Sequence, residues 1–346
     1  MRIAQVATVS TPVRREGSAS IEGLAWILTR ELVRLGHEVT LFATAGSQSD
    51  GALVATLPGP YGVDGAPDDW FLCEWMNLAA AVERSAGFDV LHAHAYLWGL
   101  PLQPFSRVPM VHTLHVWPFA NEARVRGMWP DACVTAVSEA QWRDWPHLQR
   151  AAVVHHAVDA AQFTLRATPD DYLCFLGRMI PGKGPVEAVA AARALGMRLL
   201  LAGPATEYFR THVAPLVDGR DVEYVGPVAG RARDLLLGGA RALLYPNRDP
   251  EPFGLVLVEA MMCGTPVAAV GVGAVAEIVD EGVTGCIAPT AAALVPAVRR
   301  ALALDRAAVR AHAERRFCAR RMAEGYVRVY ESVVAADAGA GVGGAR

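Results

Sequence analysis

The chain has 346 residues, 53 % hydrophobic and 19 % charged, which is enough apolar side chain for two packed cores and too much for a disordered polymer. Its 32 basic and 35 acidic residues leave a net charge of −3, which excludes a molecule drawn as a whole to nucleic acid or to an anionic bilayer. A small polyanion would need a local cationic site, and the composition offers a candidate: 31 of the 32 basic residues are Arg and one is Lys, Lys183.

In chain order, RIAQVATV (2–9) reads as a buried strand, followed by an amphipathic helix at about 22–35 and the strand VTLFAT after Gly36-His37. DVLHAH (89–94), PMVHTLH (109–115) and ACVTAVS (132–138) are further strand-like runs with helical segments between several of them. Short apolar runs alternating with helices predict a parallel sheet covered on both faces. VVHHAVDAAQF (153–163) closes a first domain, 1–163, and TLRATPDD (164–171) reads as a linker. The pattern then restarts with YLCFLGR (172–178), a helix over 184–195, RLLLAG, VEYVG, ARALLYP and PVAAVG. This is a second doubly wound domain, 172–336, whose last helical segment, about 306–336, is free to cross back to the first. DAGAGVGGAR (337–346) reads as a disordered tail.

Two α/β domains of this kind predict an interdomain cleft at the carboxyl ends of both sheets, where open α/β folds bind ligands. The six cysteines form no CxxC pair and no metal-ligand spacing, as expected of free thiols in a reducing compartment. Met1-Arg2 runs straight into a strand, and no apolar stretch reaches the roughly 18 residues of a membrane span. The expectation is a cytoplasmic protein without signal peptide, membrane segment or nucleic-acid partner. All eight Trp fall within 26–145, which a Trp-rich core explains; alternatively Trp98 and Trp117 line an acceptor site.

DPEPFGLVLVEAMMCGTPVAAV (249–270) is the most informative stretch. Pro250 and Pro252 hold the chain extended, Gly254 permits close backbone approach, and a helix follows. Glu251 therefore sits in the loop before that helix and Glu259 about one turn inside it. Free N–H groups at the helix start favour hydroxyl or anionic oxygens. Two carboxylates beside them could grip two sugars, a transferred hexose and a ribose. By spacing alone, a plain turn and a solvated Glu259 fit slightly better. GVGAVA (271–276) satisfies G-x-G-x-x-A, yet no acidic residue near 290–297 is placed to hold an adenosine ribose, so a dinucleotide site is not expected.

With its Glu251-x7-Glu259 signature, the segment EPFGLVLVEAMMCGTPV resembles glycosyltransferase family 4, which has the GT-B fold. The resemblance extends through GHEVTLF (36–42), HAH (92–94), TLH (113–115), VSEAQ (137–141), GRMIPGKGP (177–185), VEYVGPV (222–228) and DEGVTGCIAP (280–289). It implies two Rossmann-like domains and a retaining transfer from a nucleotide-diphosphate sugar, UDP-linked first and GDP-mannose second, to an acceptor that we expect to be small and soluble. Arg178 and Lys183 would contact the donor diphosphate, stabilising a leaving group that gains charge in the transition state. Lys183, flanked by Gly182 and Gly184, is in a loop able to close over phosphate. Glu259 would bind the ribose. Glu251, with Pro252 and the backbone of Phe253, Gly254 and Leu255, would bind the transferred sugar, and the backbone near Val228 the base. His115 matches the family's His near the reacting sugar, with His94 a weaker candidate; His92 and His112 are expected to face the core or the sheet.

Two departures from the family pattern stand out. The first loop carries Ala19-Ser20, where the family usually has a Gly pair for phosphate and acceptor; Gly17 or Ser20 Oγ would have to compensate. His156 stands where the family often has Asn, with no function suggested by the sequence. No protein nucleophile is evident, so the expected chemistry is front-face substitution, with no cofactor and no metal, since the two cations replace one. The alternatives are a nucleotide-sugar-binding subunit without catalysis, favoured by the altered first loop, or a nucleotide-sugar epimerase.

Overall fold

The computed structural model describes every residue except 17–19, 64, 118–126, 144–149 and 344–346. The chain divides into two compact units, Met1–Ala157 together with Ala319–Arg346, and Val158–Cys318.

The N-terminal unit holds a parallel sheet of β1 (Arg2–Val6), β2 (Glu38–Thr44), β3 (Ala52–Leu57), β4 (Val90–Ala93), β5 (Met110–Thr113), β6 (Cys133–Ala136) and β7 (Arg150–Val153). Their order is β3-β2-β1-β4-β5-β6-β7. Central strands such as VLHA and MVHT are buried along their whole length, as strands covered on both faces must be. On one face Ala4, Val6, Phe42, Leu91 and Met110 pack under α2 (Trp70–Glu83) through Leu78, Ala81 and Val82. α1 (Ser20–Arg34) packs against the long C-terminal helix of the same unit, and a short α3 spans Glu139–Arg143.

The C-terminal unit repeats the plan with β8 (Leu173–Leu176), β9 (Leu199–Ala202), β10 (Val222–Gly226), β11 (Leu243–Tyr245), β12 (Val267–Val270) and β13 (Gly285–Ala288), in the order β10-β9-β8-β11-β12-β13. Its helices are α4 (Pro185–Leu195), α5 (Gly230–Gly239), α6 (Leu255–Met262), α7 (Val275–Ile278), α8 (Leu294–Ala301) and α9 (Arg306–Phe317). α4 and α8 cover one face, with Val189, Ala192, Leu294 and Val298 packed on Leu199, Leu201, Leu244 and Ala268. α10 (Ala319–Gly343) belongs to the N-terminal unit. Each strand order reverses direction once, between β1 and β4 and between β8 and β11, and such switch points leave a crevice at the strands' carboxyl ends.

Three expectations change. Residues 164–171 are not a linker: Thr164 N donates to Asp234 Oδ1 at 2.7 Å, Arg166 N to Cys263 O at 3.2 Å, and Asp170 N to Gly239 O at 2.8 Å. The polar groups of this stretch find partners in the C-terminal unit, whose boundary therefore moves from 172 back to Val158. The helical segment expected over 306–336 is two helices: Asp305 caps α9 by accepting from Ala307 N and Ala308 N, and the break at Cys318 separates it from α10. The tail is helical to Gly343, against the helix-breaking tendency of its glycines; 344–346 lie outside the described residues. Strand β3 was not visible as an apolar run because it is a half-exposed edge strand.

Candidate functional site

The carboxyl ends of β8 and β11 meet through two loops. Arg248 N donates to Gly182 O at 2.8 Å, and a Cβ on Gly184 (φ +70°) would lie 2.4 Å from Pro246 O. That close approach is possible only without a side chain, and it places Lys183 against the second loop. Lys183 Nζ is 2.5 Å from Glu251 Oε2. The same oxygen accepts from Tyr245 Oη and, at 3.0 Å, from Asn247 Nδ2. Burial pushes the Glu251 carboxyl upward, but the Lys183 charge and the hydrogen bonds from Lys183, Tyr245 and Asn247 outweigh it and hold the group below the ordinary carboxylate range. Tyr245, buried and facing that anion, titrates well above an ordinary tyrosine. Glu251 is therefore an oriented carboxylate at neutral pH.

Glu251 precedes α6, whose N-cap Gly254 is left-handed at φ +85° with no side-chain cap. Phe253 turns its ring into the core, edge-on to Phe317 at 5.7 Å, so its part in a site is through its backbone, while Pro252 and Leu255 are half-buried. On the buried side of α6, Glu259 Oε1 accepts from Arg233 on α5 at 2.8 Å. Val228 is half-buried in the loop between β10 and α5. Arg178 follows β8, is exposed, and its guanidinium makes no hydrogen bond or ion pair among the described residues. The segment 271–276 packs against the loop that carries Glu251. Gly273 (φ +58°) would place a Cβ 2.5 Å from Glu251 N, and Ala274 N donates to Glu251 O at 3.1 Å, so the loop buttresses Glu251.

In the N-terminal unit the carboxyl ends of β4 and β5 bring histidines together. His94 Nδ1 is 3.0 Å from His115 Nε2, and His115 Nδ1 is 3.3 Å from His156 Nε2. Burial drives His94 and His156 down to about 3, and burial with neighbouring imidazoles drives His115 well below its ordinary value. All three are neutral at pH 7. His92 is fully buried against Tyr330 and Thr113, and His112 is fully buried with neither ring nitrogen partnered among the described residues. Beside them, the loop after β1 is held by two buried carboxyls. Glu22 accepts from Ser10 N at 3.0 Å, Thr11 N at 3.2 Å and Ser10 Oγ, while Glu74 accepts from Val9 N at 2.9 Å. Burial lifts Glu74 to about 8, the Val9 N–H opposing and the Glu22 charge adding to the rise.

The structure thus unites Lys183 with Glu251, and His115 with His94. Trp98 belongs to an aromatic cluster with Tyr96, Trp70 and Phe71, at ring distances of 5.1, 4.8 and 5.1 Å. Trp117 is half-buried and no ring contact joins it to Trp98 among the described residues. Gly17 and Ala19 lie outside the described residues, and Ser20 is the exposed first residue of α1. Sequence reasoning missed Tyr245, Asn247 and Arg233. Tyr245 and Asn247 sit at the end of a recognisable strand, where polar residues are the available signal; Arg233 is one of 31 arginines and carries none. Among the described residues no group of three or more His, Cys, Asp or Glu is arranged to hold a metal ion, and no helix is long and apolar enough to cross a membrane.

Chemically, an oriented carboxylate with an ammonium beside it can accept from sugar hydroxyls while the cation faces phosphate. Residues 21–162 match the family described as Glycosyltransferase Family 4, and residues 159–316 match Glycosyl transferases group 1. The chain is 29 % identical to the D-inositol 3-phosphate glycosyltransferase of Mycolicibacterium smegmatis, over 83 % of this chain and 79 % of that one. The crystal structure of AviGT4, a glycosyltransferase involved in avilamycin A biosynthesis, is 29 % identical with a TM-score of 0.75, covering 97 % of this chain and 98 % of that one. Anabaena Alr3699/HepE, crystallised with UDP and glucose, shares the fold at 20 % identity, with a TM-score of 0.70 over 96 % of this chain and 100 % of that one.

Proposed function

Because the chain belongs to the family 4 glycosyltransferases and has their two-domain GT-B fold, we propose that it transfers a hexose or N-acetylhexosamine from a nucleotide-diphosphate sugar to a hydroxyl of a small soluble acceptor. The donor is a UDP-sugar first and GDP-mannose second. The transfer retains anomeric configuration and uses no metal ion. The observation that carries this reading is the Glu251 carboxylate held by Lys183, Tyr245 and Asn247 in the loop before α6.

Lys183 has three N–H donors; one is given to Glu251, which leaves two for phosphate oxygens. Arg178, without an internal partner among the described residues, adds a second cation to the departing diphosphate. Glu251 accepts from hydroxyls of the transferred sugar, Glu259 from the ribose, and the backbone at Val228 meets the base. In the step itself the bond from the anomeric carbon to the phosphate oxygen breaks. The bond to the acceptor oxygen forms on the same face, and the acceptor's proton passes to the departing phosphate. His115 hydrogen-bonds the sugar or steadies its developing charge. A small acceptor suits the small molecule, D-inositol 3-phosphate, in the name of the Mycolicibacterium enzyme. The six free thiols suit the cytoplasm.

Calorimetric titration with UDP and with GDP, without metal, tests the donor half. One nucleotide should bind, and Lys183→Ala should weaken it at least about tenfold, the loss of one charge-assisted contact. Binding of neither nucleotide, or near-normal turnover in Lys183→Ala, would defeat the reading. Product NMR with the matching sugar donor then reads the anomeric configuration.

A further inference from the structure

The N-terminal unit contains one directed line of hydrogen bonds that ends at the candidate active-site histidine. Gln5, buried in the middle of β1, points its amide nitrogen at Tyr330 Oη (2.9 Å) and its carbonyl oxygen at His94 Nε2 (2.8 Å). A carbonyl oxygen only accepts, so the proton in the second bond belongs to His94 Nε2. A neutral imidazole carries one ring proton, which leaves His94 Nδ1 a lone pair. His115 Nε2, 3.0 Å away, must then supply the hydrogen. The step repeats: His115 Nδ1 is a lone pair, and His156 Nε2 donates to it across 3.3 Å. Burial enforces the premise, since a charged imidazole at any of these positions would lose its hydration without gaining an anion.

The other end of the line is anchored in the core. Tyr330 Oη, already accepting from Gln5, keeps its own proton for His92 Nδ1 at 2.6 Å. His92 Nε2 then donates to Thr113 Oγ1 at 2.7 Å, and Thr113 lies 2.5 Å from Thr135 Oγ1. Tyr330 sits on α10, so the helix that returns to this unit after Cys318 supplies the hydroxyl that joins the two arms of the line.

We propose that Tyr330, Gln5 and His94 are positioning residues that hold His115 as its neutral Nε2–H tautomer, so that the Nδ1 lone pair is what it offers to a hydroxyl of the transferred sugar, and that His156 caps this lone pair when no sugar is present. The sugar half rests on the glycosyl-transfer reading; the tautomer does not. The proposal decides between the two roles left open above, because a neutral ring with a free lone pair accepts a hydrogen bond and brings no positive charge. It also finds a use for His156, the departure from the family pattern that the sequence left unexplained.

The test is NMR of the ligand-free full chain with 15N-labelled histidine, the His115 signals assigned by their loss in His115→Asn. Protonated Nε2 and unprotonated Nδ1 are expected at pH 7. A proton on Nδ1, which turning over the Gln5 amide would produce, or an imidazolium, overturns the proposal. Tyr330→Phe frees the Gln5 amide and should give a tautomer mixture with kcat about tenfold lower and an unchanged KM for the donor. Tyr326→Phe removes an equally buried hydroxyl of α10 that meets the line only at its core end, through Thr113 Oγ1 at 3.1 Å, and should leave the His115 tautomer pure. An unaltered tautomer in Tyr330→Phe, or the same mixture in Tyr326→Phe, overturns the positioning role. The expected tautomer in a protein that transfers no sugar from any donor would support the line and defeat only the transfer reading.

Discussion

Acidification from pH 7.5 to 5.5 should destabilise the N-terminal unit while Glu251 in the C-terminal unit, held below the ordinary carboxylate range, stays ionised. In the folded unit His94, His112 and His156 titrate at about 3, 4 and 3, against 6.5 when free. A folded value below the unfolded one means the unfolded chain binds more protons between them, so stability is present above about pH 6.5 and is lost as pH falls. At pH 5.5 each of the three costs about 1.4 kcal/mol, about 4 kcal/mol together. Glu74 works in the opposite sense: its folded value of about 8 lies above the ordinary 4.5, so the fold carries a penalty at high pH that acid relieves. Over the same interval that relief is about 2.5 kcal/mol, leaving a net loss of about 1.5 kcal/mol from these four groups. His92 and His115 are shifted in the same direction as the other histidines, by burial first, and add to the loss. The assay is built into the chain: all eight tryptophans lie in the N-terminal unit, so their fluorescence in a urea titration reports that unit alone. In Glu74→Gln the compensating group is gone, and the acid loss should grow by about 2.5 kcal/mol. Equal or greater wild-type stability at pH 5.5, or a Glu74→Gln profile no steeper than the parent's, would refute the reasoning.

The remaining predictions concern the C-terminal unit. Tyr245→Phe removes one hydrogen bond to a carboxylate and should lower kcat/KM about tenfold (about 1.5 kcal/mol) with little change in unfolding midpoint, as steady-state kinetics and circular dichroism would show. Gly184→Ala forces a side chain into a left-handed position and against Pro246 O, so this unit should lose more than about 2 kcal/mol, together with its nucleotide affinity; an unchanged melting profile would contradict the loop geometry. Glu259→Gln should weaken UDP about tenfold while leaving inorganic diphosphate binding unchanged, because the residue is assigned to the ribose; equal losses for both ligands would remove it from that role.

Much of the architecture was legible because parallel strands buried on both faces are short continuous apolar runs, and helices between them repeat at a different period. RIAQV, VLHA, VAAV and LVLVEAMM all announced themselves in this way. ALVATL did not, since an edge strand has one wet side and no such run. Lys183 was legible from being the sole lysine, and Glu251 and Glu259 from the contiguous motif that resembles the family signature, since their spacing alone fits a plain turn and a solvated helix residue slightly better. Tyr245 and Asn247 were not, because nothing local says that the end of one strand will face a loop from another.

The sequence by itself determined two doubly wound units and the family. These depend on local periodicity and on a contiguous motif. Only the tertiary structure decided that 158–171 packs into the C-terminal unit, that the helix after Cys318 returns to the N-terminal one, and that Tyr330 thereby reaches Gln5 across 325 positions. It likewise decided that His115 lies within hydrogen-bond reach of both His94 and His156. A hydrogen bond depends on where two groups lie in space, and the separation of Tyr330, Gln5, His94, His115 and His156 along the chain carries no trace of it.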